Sequence, residues 1–278
     1  MAEVLSHDQK TWVISERWNN RSAECLEVSA FDGFSAYIGN LPLTEKSNFS
    51  LGSYPNSSKF DRIFKDLRRL PEQHLYPAYQ NKFTQFDTTT VDMWSDGEYY
   101  FKAPSISEYN DDDAIAKLTL EEVDTNEVLK NHPHPNLGVY LGCIVHKGLI
   151  VRLAFRKYFN VLPDRVWVPN STIDFPAEAR IKCMDGIAAA AKHLHLLGYA
   201  HNDISPSNIM FDGNDVPILI DLDSCGRFGS KIRKGGAVNR WRSSVQDGGM
   251  TFEVADVEFD ELAIEYLRKW LMEDSTNR

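Results

Sequence analysis

The spacing of apolar residues differs between the N-terminal part of the chain and the longer part that follows. Only the longer part predicts a series of helices and strands. In residues 1–80 one helical pattern is visible, at residues 60–70, and no other element is assigned there. From Lys82 onward the apolar runs are short and strand-like. Residues 88–94 and 98–102 flank the turn signal Ser95-Asp96-Gly97, which predicts a hairpin.

The segments after this hairpin predict one helix and two strands. An acidic stretch at residues 108–113 leads into a helical pattern at 114–129. Two apolar runs follow, at residues 137–145 and 149–155. The predicted order of elements is therefore strand, strand, helix, strand, strand.

The last part of the chain predicts two helices around a second hairpin. Asp174 is a candidate N-cap, and Pro176 a first-turn residue, of a buried helix that ends at Gly198. Residues 209–211 and 216–220 are joined by Asp212-Gly213-Asn214-Asp215, a strong turn signal. The final helical pattern, at residues 259–271, places these residues on one face: Phe259, Leu262, Ala263, Tyr266, Leu267, Trp270 and Leu271.

Composition narrows the class of protein. The 278 residues are 42% hydrophobic and 25% charged, as in globular proteins, and a net charge of -10 disfavours general nucleic-acid binding. Four cysteines lie far apart without CxxC spacing, which predicts neither a zinc site nor a disulfide framework. No stretch reaches the roughly 18 apolar residues of a membrane span. We therefore expect a cytoplasmic protein that does not contact membranes.

Three polar residues in the segment that begins at His201 suggest a chemical site. Asp203 and Asn208 lie on one loop, and Asp221 follows the predicted hairpin. Folding the hairpin back brings Asp221 beside Asn208, where their oxygen atoms suit Mg²⁺ held jointly with phosphate. Asp203 would lie on the rim of this site, where it could accept a proton.

At these positions the sequence resembles the protein kinase superfamily, whose catalytic loop reads H-R-D-L-K-P-E-N and whose metal loop reads D-F-G. His201, Asp203, Pro206 and Asn208 match the first motif, and Asp221 has the spacing of the second. The resemblance implies that Asp203 is the catalytic base and that Asn208 and Asp221 hold Mg²⁺. It also implies that Lys102 contacts the phosphates of ATP.

The resemblance extends from about residue 88 to residue 271. It implies a helix carboxylate that pairs with Lys102, and Glu122 is favoured over Glu121 or Glu127. Asp260 resembles the aspartate that opens the helix bracing the catalytic loop. The implied fold is α+β: a two-lobed protein-kinase-like fold with an N-terminal extension (1–81), an N-lobe (82–158) and a shortened C-lobe (159–278).

Several departures from the kinase pattern bear on the substrate. Asn202 replaces the motif arginine and Ser205 the motif lysine, so a positive charge is missing near the transferred phosphate. Asp221-Leu222-Asp223 lacks the glycine of the metal loop, and no glycine lies between Gly52 and Gly97 to form a phosphate loop. The chain also ends soon after the helix of Asp260. We therefore expect a small-molecule or unusual protein acceptor.

Cations accumulate directly after the metal loop. No acidic residue interrupts this basic segment, residues 227–242, before Asp247. Its position favours recognition of an anionic substrate or of RNA phosphate, against the alternative of a solvated loop. The candidate anion-binding residues are Lys231, Arg233, Lys234, Arg240 and Arg242, with Arg227 at the start of the segment.

Three functions remain open from the sequence. The leading hypothesis is an ATP- and Mg²⁺-dependent phosphotransferase. The second is a transferase on the kinase fold that uses another activated donor, such as the aminoacyl-tRNA of a cyclodipeptide synthase, and the third is a pseudokinase that binds partners. His132 and His134 are interpreted as parts of a structural turn rather than as metal ligands, because prolines surround them and no cysteine lies near.

Overall fold

The computed structural model describes residues 10–19, 22–47, 52–55, 61–94, 97–107, 109–167, 175–238 and 250–273. The chain divides into two compact units. The first comprises Met1–Asp96, Phe101–Leu120 and Cys143–Leu153, and the second Gly97–Tyr100, Glu121–Gly142 and Ala154–Arg278. The predicted cap Asp174, the turn residues Ser95 and Asp96, and the cations Arg240 and Arg242 lie outside the described residues.

The first unit contains an antiparallel five-stranded sheet that the sequence patterns did not reveal. Its strand order is β4-β1-β2-β3-β5, and Trp12 lies opposite Ala30 in the β1–β2 pair. Trp12 and Ile14 are buried and alternate with exposed neighbours, as in a half-buried strand, whereas residues 26–30 of the paired strand are all buried. The strands are β1 (Lys10–Asn19), β2 (Ser22–Asp32), β3 (Ser35–Leu41), β4 (Gly52–Pro55) and β5 (Arg68–Arg69).

One short helix takes the place of the longer helix predicted at residues 60–70. Among the described residues of that segment, α1 (Asp61–Phe64) is one turn long and is followed by β5, which pairs with β3. Helix α2 (Glu72–Leu75) follows. Phe64 packs edge-on against Trp12 with ring centroids 5.6 Å apart, so the apolar residues that suggested a helix instead cover the sheet.

A second sheet has three strands in the order β6-β8-β7: β6 (Tyr99–Lys102), β7 (Tyr140–His146) and β8 (Leu149–Arg156). Helix α3 (Ala114–Lys130) precedes β7, which confirms the predicted helix and the two strands that follow it. The predicted strand at residues 88–94 is wrong. There the side chains of Asp87 and Asp92 accept hydrogen bonds from the backbone N of Thr89 (2.9 Å) and Trp94 (3.0 Å), local turns that compete with strand pairing.

Arg152 of β8 holds the first sheet from within the same unit. Its guanidinium is 6% exposed and donates to the backbone oxygen of Gly33 at 2.8 Å, in the turn between β2 and β3. It also lies over the rings of Phe31 and Phe34, at 4.9 and 5.4 Å from their centroids. A buried cation satisfied by carbonyl oxygens and aromatic faces fixes the position of this turn.

The second unit packs around the helices α5 (Ala177–Leu196) and α6 (Val257–Glu273), which confirm the two helical predictions in this part of the chain. Met184 and Leu194 of α5, and Phe259 and Leu267 of α6, are completely buried in one hydrophobic cluster. The other elements are α4 (Leu162–Trp167), β9 (Tyr199–Ala200), β10 (Ile209–Phe211), β11 (Pro217–Leu219), β12 (Gly226–Arg227), β13 (Ala237–Val238) and β14 (Met250–Thr251).

Short pairings complete this unit. Strands β10 and β11 form the predicted hairpin, with Ile209 opposite Leu219. Strand β9 pairs with β12 and β13 with β14, all antiparallel. In the part of the chain that the structure describes, none of the helices is long and apolar enough to cross a membrane.

The turn after α3 is fixed to this hairpin. Asn136 receives a hydrogen bond from the backbone N of Leu219 (2.8 Å) and donates through Nδ2 to the backbone oxygen of Pro217 (2.8 Å). A Cβ on Gly186 of α5 would lie 2.8 Å from Asn136 Nδ2, so only glycine leaves room there. The ring of His134 lies 5.0 Å from that of His193, and burial lowers the pKa of His134, helped by the nearby His193. These contacts support the structural-turn interpretation of His134.

Candidate active site

A completely buried carboxylate fixes the loop that carries Asp203. Asp260, in the first turn of α6, accepts hydrogen bonds from the backbone N of His201 (2.8 Å) and of Asn202 (2.9 Å). His195 Nε2 donates to the same carboxylate at 2.9 Å. The predicted bracing of the loop by Asp260 is thus confirmed.

Asn202 connects the same loop to the segment after the predicted metal loop. Its side chain is completely buried, and Nδ2 donates to the backbone oxygens of Ser224 (2.9 Å) and Ala200 (3.2 Å). Its φ of 62° lies in the left-handed region, which asparagine tolerates better than most residues. A buried neutral amide therefore performs a structural task at the position where the kinase motif has arginine.

The hairpin β10–β11 returns the chain to this loop. The backbone N of Ile220 donates to the backbone oxygen of Asn208 at 2.9 Å, and His201 Nε2 donates to the backbone oxygen of Ile220 at 3.0 Å. Because Ile220 is bonded to both ends of the loop, Asp221 must emerge beside it. The predicted return of Asp221 toward Asn208 follows from these two bonds.

Asn208 holds the carboxylate of Asp203. Its Nδ2 donates to the Asp203 backbone oxygen at 2.8 Å and to Asp203 Oδ2 at 2.9 Å. Both amide hydrogens are then used, and the amide oxygen of Asn208 is left as an acceptor or cation ligand. The structure therefore brings Asp203, Asn208 and Asp221 into one part of the second unit.

The electrostatic environment of Asp203 is unfavourable for its charged form. Burial raises the pKa of its carboxyl above the ordinary value, although His201 and the hydrogen bond from Asn208 act in the opposite direction. The negative charges of Asp221 and Asp223 raise the pKa of Asp203 further. A carboxyl with a raised pKa is suited to taking up a proton, and such groups are enriched at catalytic sites.

The donor set fits a hard divalent cation. Asp221 has φ 65° and ψ 76°, and its side chain does not cap the short helical turn Leu222–Ser224 that follows. With the Asn208 amide oxygen it offers the oxygen ligands that Mg²⁺ prefers. Among the described residues, His, Cys, Asp and Glu side chains are nowhere grouped in threes as a protein-only metal site. A cation here would take its remaining ligands from phosphate and water.

Two of the described cations of the basic segment lie close to carboxylates. Lys234 Nζ forms an ion pair with Asp223, and Arg233 lies 3.2 Å from Glu121 on α3. Lys231 is exposed and forms an isolated backbone bridge with Val254. A phosphate bound at Arg233 or Lys234 would therefore have to exchange with, or join, an existing ion pair. Anion binding by this segment stays a prediction.

Lys102 and Glu122 lie in different units. Lys102 ends β6 in the first unit and is partly exposed. Glu122 lies on α3 in the second unit and is buried, whereas Glu121 pairs with Arg233 and Glu127 accepts a hydrogen bond from the Tyr140 hydroxyl at 3.3 Å. A buried carboxylate needs a charged or hydrogen-bonding partner more than an exposed one does. The pairing of Lys102 with Glu122 stays a prediction.

Two consecutive glycines were missed in the sequence. Gly235 and Gly236 both have φ near 80° (77° and 79°), and the backbone N of Gly236 donates to the backbone oxygen of Asn202 at 2.9 Å. A Cβ on Gly235 would lie 2.6 Å from that Asn202 oxygen and 3.2 Å from the Asp203 Cβ. The pair Gly-Gly between two basic stretches was the available signal, since paired glycines mark positions of close backbone approach.

We expect Gly235→Ala to destabilise the protein more than Gly148→Ala does. Both glycines have φ 77°, so both substitutions incur about 1–2 kcal/mol of left-handed strain. A Cβ at Gly148 meets no atom within 4 Å, whereas at Gly235 it would collide with the backbone of the Asp203 loop. Urea unfolding of the two variants measures the difference, and equal losses would contradict the close approach.

Comparison with known sequences finds similarity to protein kinases. A probable serine/threonine-protein kinase of Dictyostelium discoideum is 30% identical over 131 residues, 40% of this chain and 23% of that protein. A probable receptor-like serine/threonine-protein kinase of Arabidopsis thaliana is 26% identical over 121 residues, 39% of this chain and 21% of that protein. The interleukin-1 receptor-associated kinase-like 2 of Bos taurus is 29% identical over 86 residues, 31% of this chain and 14% of that protein.

These matches show that the chain is related to protein kinases. The matched segments span less than a quarter of the length of these curated relatives. No protein-family model matches the chain. The architecture described above is a mixed α+β one, as this relationship requires.

Proposed function

We propose that the chain is an ATP- and Mg²⁺-dependent phosphotransferase on a two-lobed kinase-like fold. The observation that carries this proposal is the set of hydrogen bonds that fixes the Asp203 loop. Asp260 accepts a hydrogen bond from the first residue of the loop, and Asn208 donates to the Asp203 carboxylate. Ile220, which precedes Asp221, donates to the backbone oxygen of Asn208. A scaffold protein would not need this arrangement of acidic side chains around a partly exposed carboxylate. The relationship to kinases supports the same reaction class.

Each residue has a definite task in the proposed reaction. Asp203 orients the acceptor hydroxyl and accepts its proton, which its raised pKa favours. Asn208 and Asp221 hold Mg²⁺, which neutralises charge on the phosphates when it is bound. Lys102, with Glu122 as its partner, contacts the nucleotide. Positioning and charge neutralisation then supply most of the rate.

The acceptor and the cellular setting are parts of the proposal that come from the sequence alone. We take the acceptor to be a small molecule or an unusual protein site. The basic segment would bind an anionic group of that acceptor, with RNA phosphate as the alternative. A cytoplasmic location fits the supply of ATP and Mg²⁺.

We expect ATP with Mg²⁺ to raise the midpoint of thermal unfolding. A ligand at 100 times its Kd stabilises the folded state by about 2.7 kcal/mol, a shift that is easily measured without knowing the acceptor. ATP with EDTA is the control, and it should produce a much smaller shift because the triphosphate then meets the carboxylate of Asp221 without a cation between them.

A parent protein that ATP and Mg²⁺ leave unshifted would contradict the proposal. The next experiment would then test the two alternatives, a transferase that uses another activated donor and a pseudokinase. Mass spectrometry of copurified RNA and small molecules would look for an aminoacyl-tRNA donor or its product. The absence of any donor would leave a partner-binding pseudokinase.

A further inference from the structure

The proposed site has an excess of negative charge around Asp203. Asp221 and Asp223 both act electrostatically on Asp203, and a nucleoside triphosphate adds several negative charges. Ser205, between Asp203 and Asn208 on the loop, is a neutral residue. A phosphate-transfer site of this composition gains from a protein cation near the terminal phosphate, because charge develops there in the transition state.

Lys234 is held next to these carboxylates. Its Nζ forms an ion pair with Asp223, whose side chain is only 13% exposed. Asp223 follows Asp221 by two residues, so the pair lies beside the proposed metal ligand. The ammonium group is therefore placed beside Asp223, whose charge acts on Asp203.

The backbone on both sides of Lys234 is fixed. On one side the backbone N of Ile232 donates to the backbone oxygen of Glu253 at 2.8 Å. On the other, Gly235 approaches the Asp203 loop so closely that a Cβ would collide with it, and Gly236 is bonded to Asn202 and to Phe252. Lys234 thus projects from a segment whose position relative to Asp203 is defined, unlike a lysine on a free loop.

We propose that Lys234 supplies the positive charge at the transferred phosphate, in place of a lysine on the Asp203 loop. This inference rests on the proposed phosphotransferase function. In the step, the bond from the terminal phosphorus to its bridging oxygen breaks and a bond from the acceptor oxygen to that phosphorus forms. The acceptor proton passes to Asp203, and the electron pair of the broken bond stays on the ADP oxygen. Lys234 remains protonated and contacts the terminal phosphate from its place beside Asp223.

Arg233 has a different task, although it is adjacent. It pairs with Glu121 on α3, and both side chains are more than half exposed. Exposed ion pairs contribute little, typically about 0–1 kcal/mol. The Lys234–Asp223 pair differs because its acidic member is mostly buried beside the site, and this difference selects Lys234 over Arg233.

Nucleotide binding tests the proposal without knowledge of the acceptor. Calorimetry would compare ADP with a non-hydrolysable ATP analogue, both with Mg²⁺, because the two ligands differ in the terminal phosphate. Lys234→Met should weaken binding of the ATP analogue about tenfold or more, the effect of one charge-assisted hydrogen bond, and leave ADP binding nearly unchanged. Lys192→Met, at an exposed position of α5 in the same unit, is the matched control and should alter neither.

A second variant tests the charge itself. Adding Ser205→Lys to Lys234→Met should restore the preference for the ATP analogue. The Ser205 side chain does not cap the short helical turn that follows it, so the substitution removes no capping hydrogen bond. Restoration would show that a cation, rather than the Asp223 pair, is what the site requires.

The outcomes separate this inference from the function on which it rests. If the parent protein binds neither nucleotide with Mg²⁺, the phosphotransferase proposal fails, and this one with it. If the parent binds ADP and the ATP analogue but Lys234→Met changes the two affinities equally, or not at all, Lys234 is a structural or solvated residue. Only this inference then fails. Tighter binding of the ATP analogue by Lys234→Met would mean that Lys234 competes with the nucleotide for the site. A selective loss of ATP-analogue binding that Ser205→Lys does not restore would assign the effect to the Asp223 pair. Both results would overturn the proposal.

Discussion

Asp203→Asn is expected to slow ADP formation about 10²–10⁴-fold while leaving the binding of ATP and Mg²⁺ nearly unchanged. The amide keeps the shape of the side chain and can still accept the hydrogen bond from Asn208 Nδ2, but it cannot take a proton from the acceptor. Asp221→Asn should instead abolish the Mg²⁺-dependent part of ATP binding, because it removes a charged metal ligand. Calorimetry and a coupled ADP assay measure the two defects separately.

The stability of the unliganded Asp203→Asn protein is the folding control. The raised pKa means that the folded state holds more protons than the unfolded chain between the ordinary and the raised pKa of Asp203. The free energy of unfolding therefore falls as the pH rises through that interval. Asparagine does not titrate, so Asp203→Asn lacks this decrease in the free energy of unfolding. The variant should therefore unfold at pH 7 at the same temperature as the parent or higher. A lower unfolding temperature would mean that the slow turnover reflects damage to the fold.

The same raised pKa sets the pH dependence expected of the proposed reaction. A general base works only when it is ionised, so turnover should rise with pH through the raised pKa of Asp203 and then level off. Equal slowing of turnover and of nucleotide binding by Asp203→Asn would contradict the separation of roles between Asp203 and Asp221.

The elements predicted correctly are those whose apolar spacing or turn signal in the sequence matches the buried face or the turn in the structure. Helix α6 has apolar residues at helical spacing because one face is buried, and Phe259 and Leu267 confirm that face. The hairpin β10–β11 follows from its Asp-Gly turn. In the N-terminal sheet, by contrast, Trp12 and Ile14 alternate with partly polar positions in a strand that also carries charges, and the alternation was overlooked.

The residues missed at the candidate site were those whose role depends on tertiary contacts. Asp203, Asn208 and Asp221 follow a motif with fixed spacing. The contact of Gly235 with Asn202, and the pairing of Lys234 with Asp223, join positions that no local pattern connects. The wrong strand at residues 88–94 has a similar origin, because Asp87 and Asp92 cap local turns that apolar spacing does not show.

Asp260→Ala is expected to destabilise the protein by about 3–5 kcal/mol, the usual effect of removing one member of a buried charged network. The carboxylate is completely buried, and its loss would leave the backbone N–H groups of His201 and Asn202 without acceptors, together with the His195 donor. Small domains are stable by about 5–15 kcal/mol, so the variant should be isolated at low temperature, and urea unfolding would measure the loss. Glu261→Ala is the matched control: Glu261 is the next residue of the same helix, is exposed, and should change stability by less than about 0.5 kcal/mol. His195→Ala removes one of the three donors and should give an intermediate loss. Similar unfolding free energies for the Asp260 and Glu261 variants would contradict the role of Asp260 as the brace of the catalytic loop.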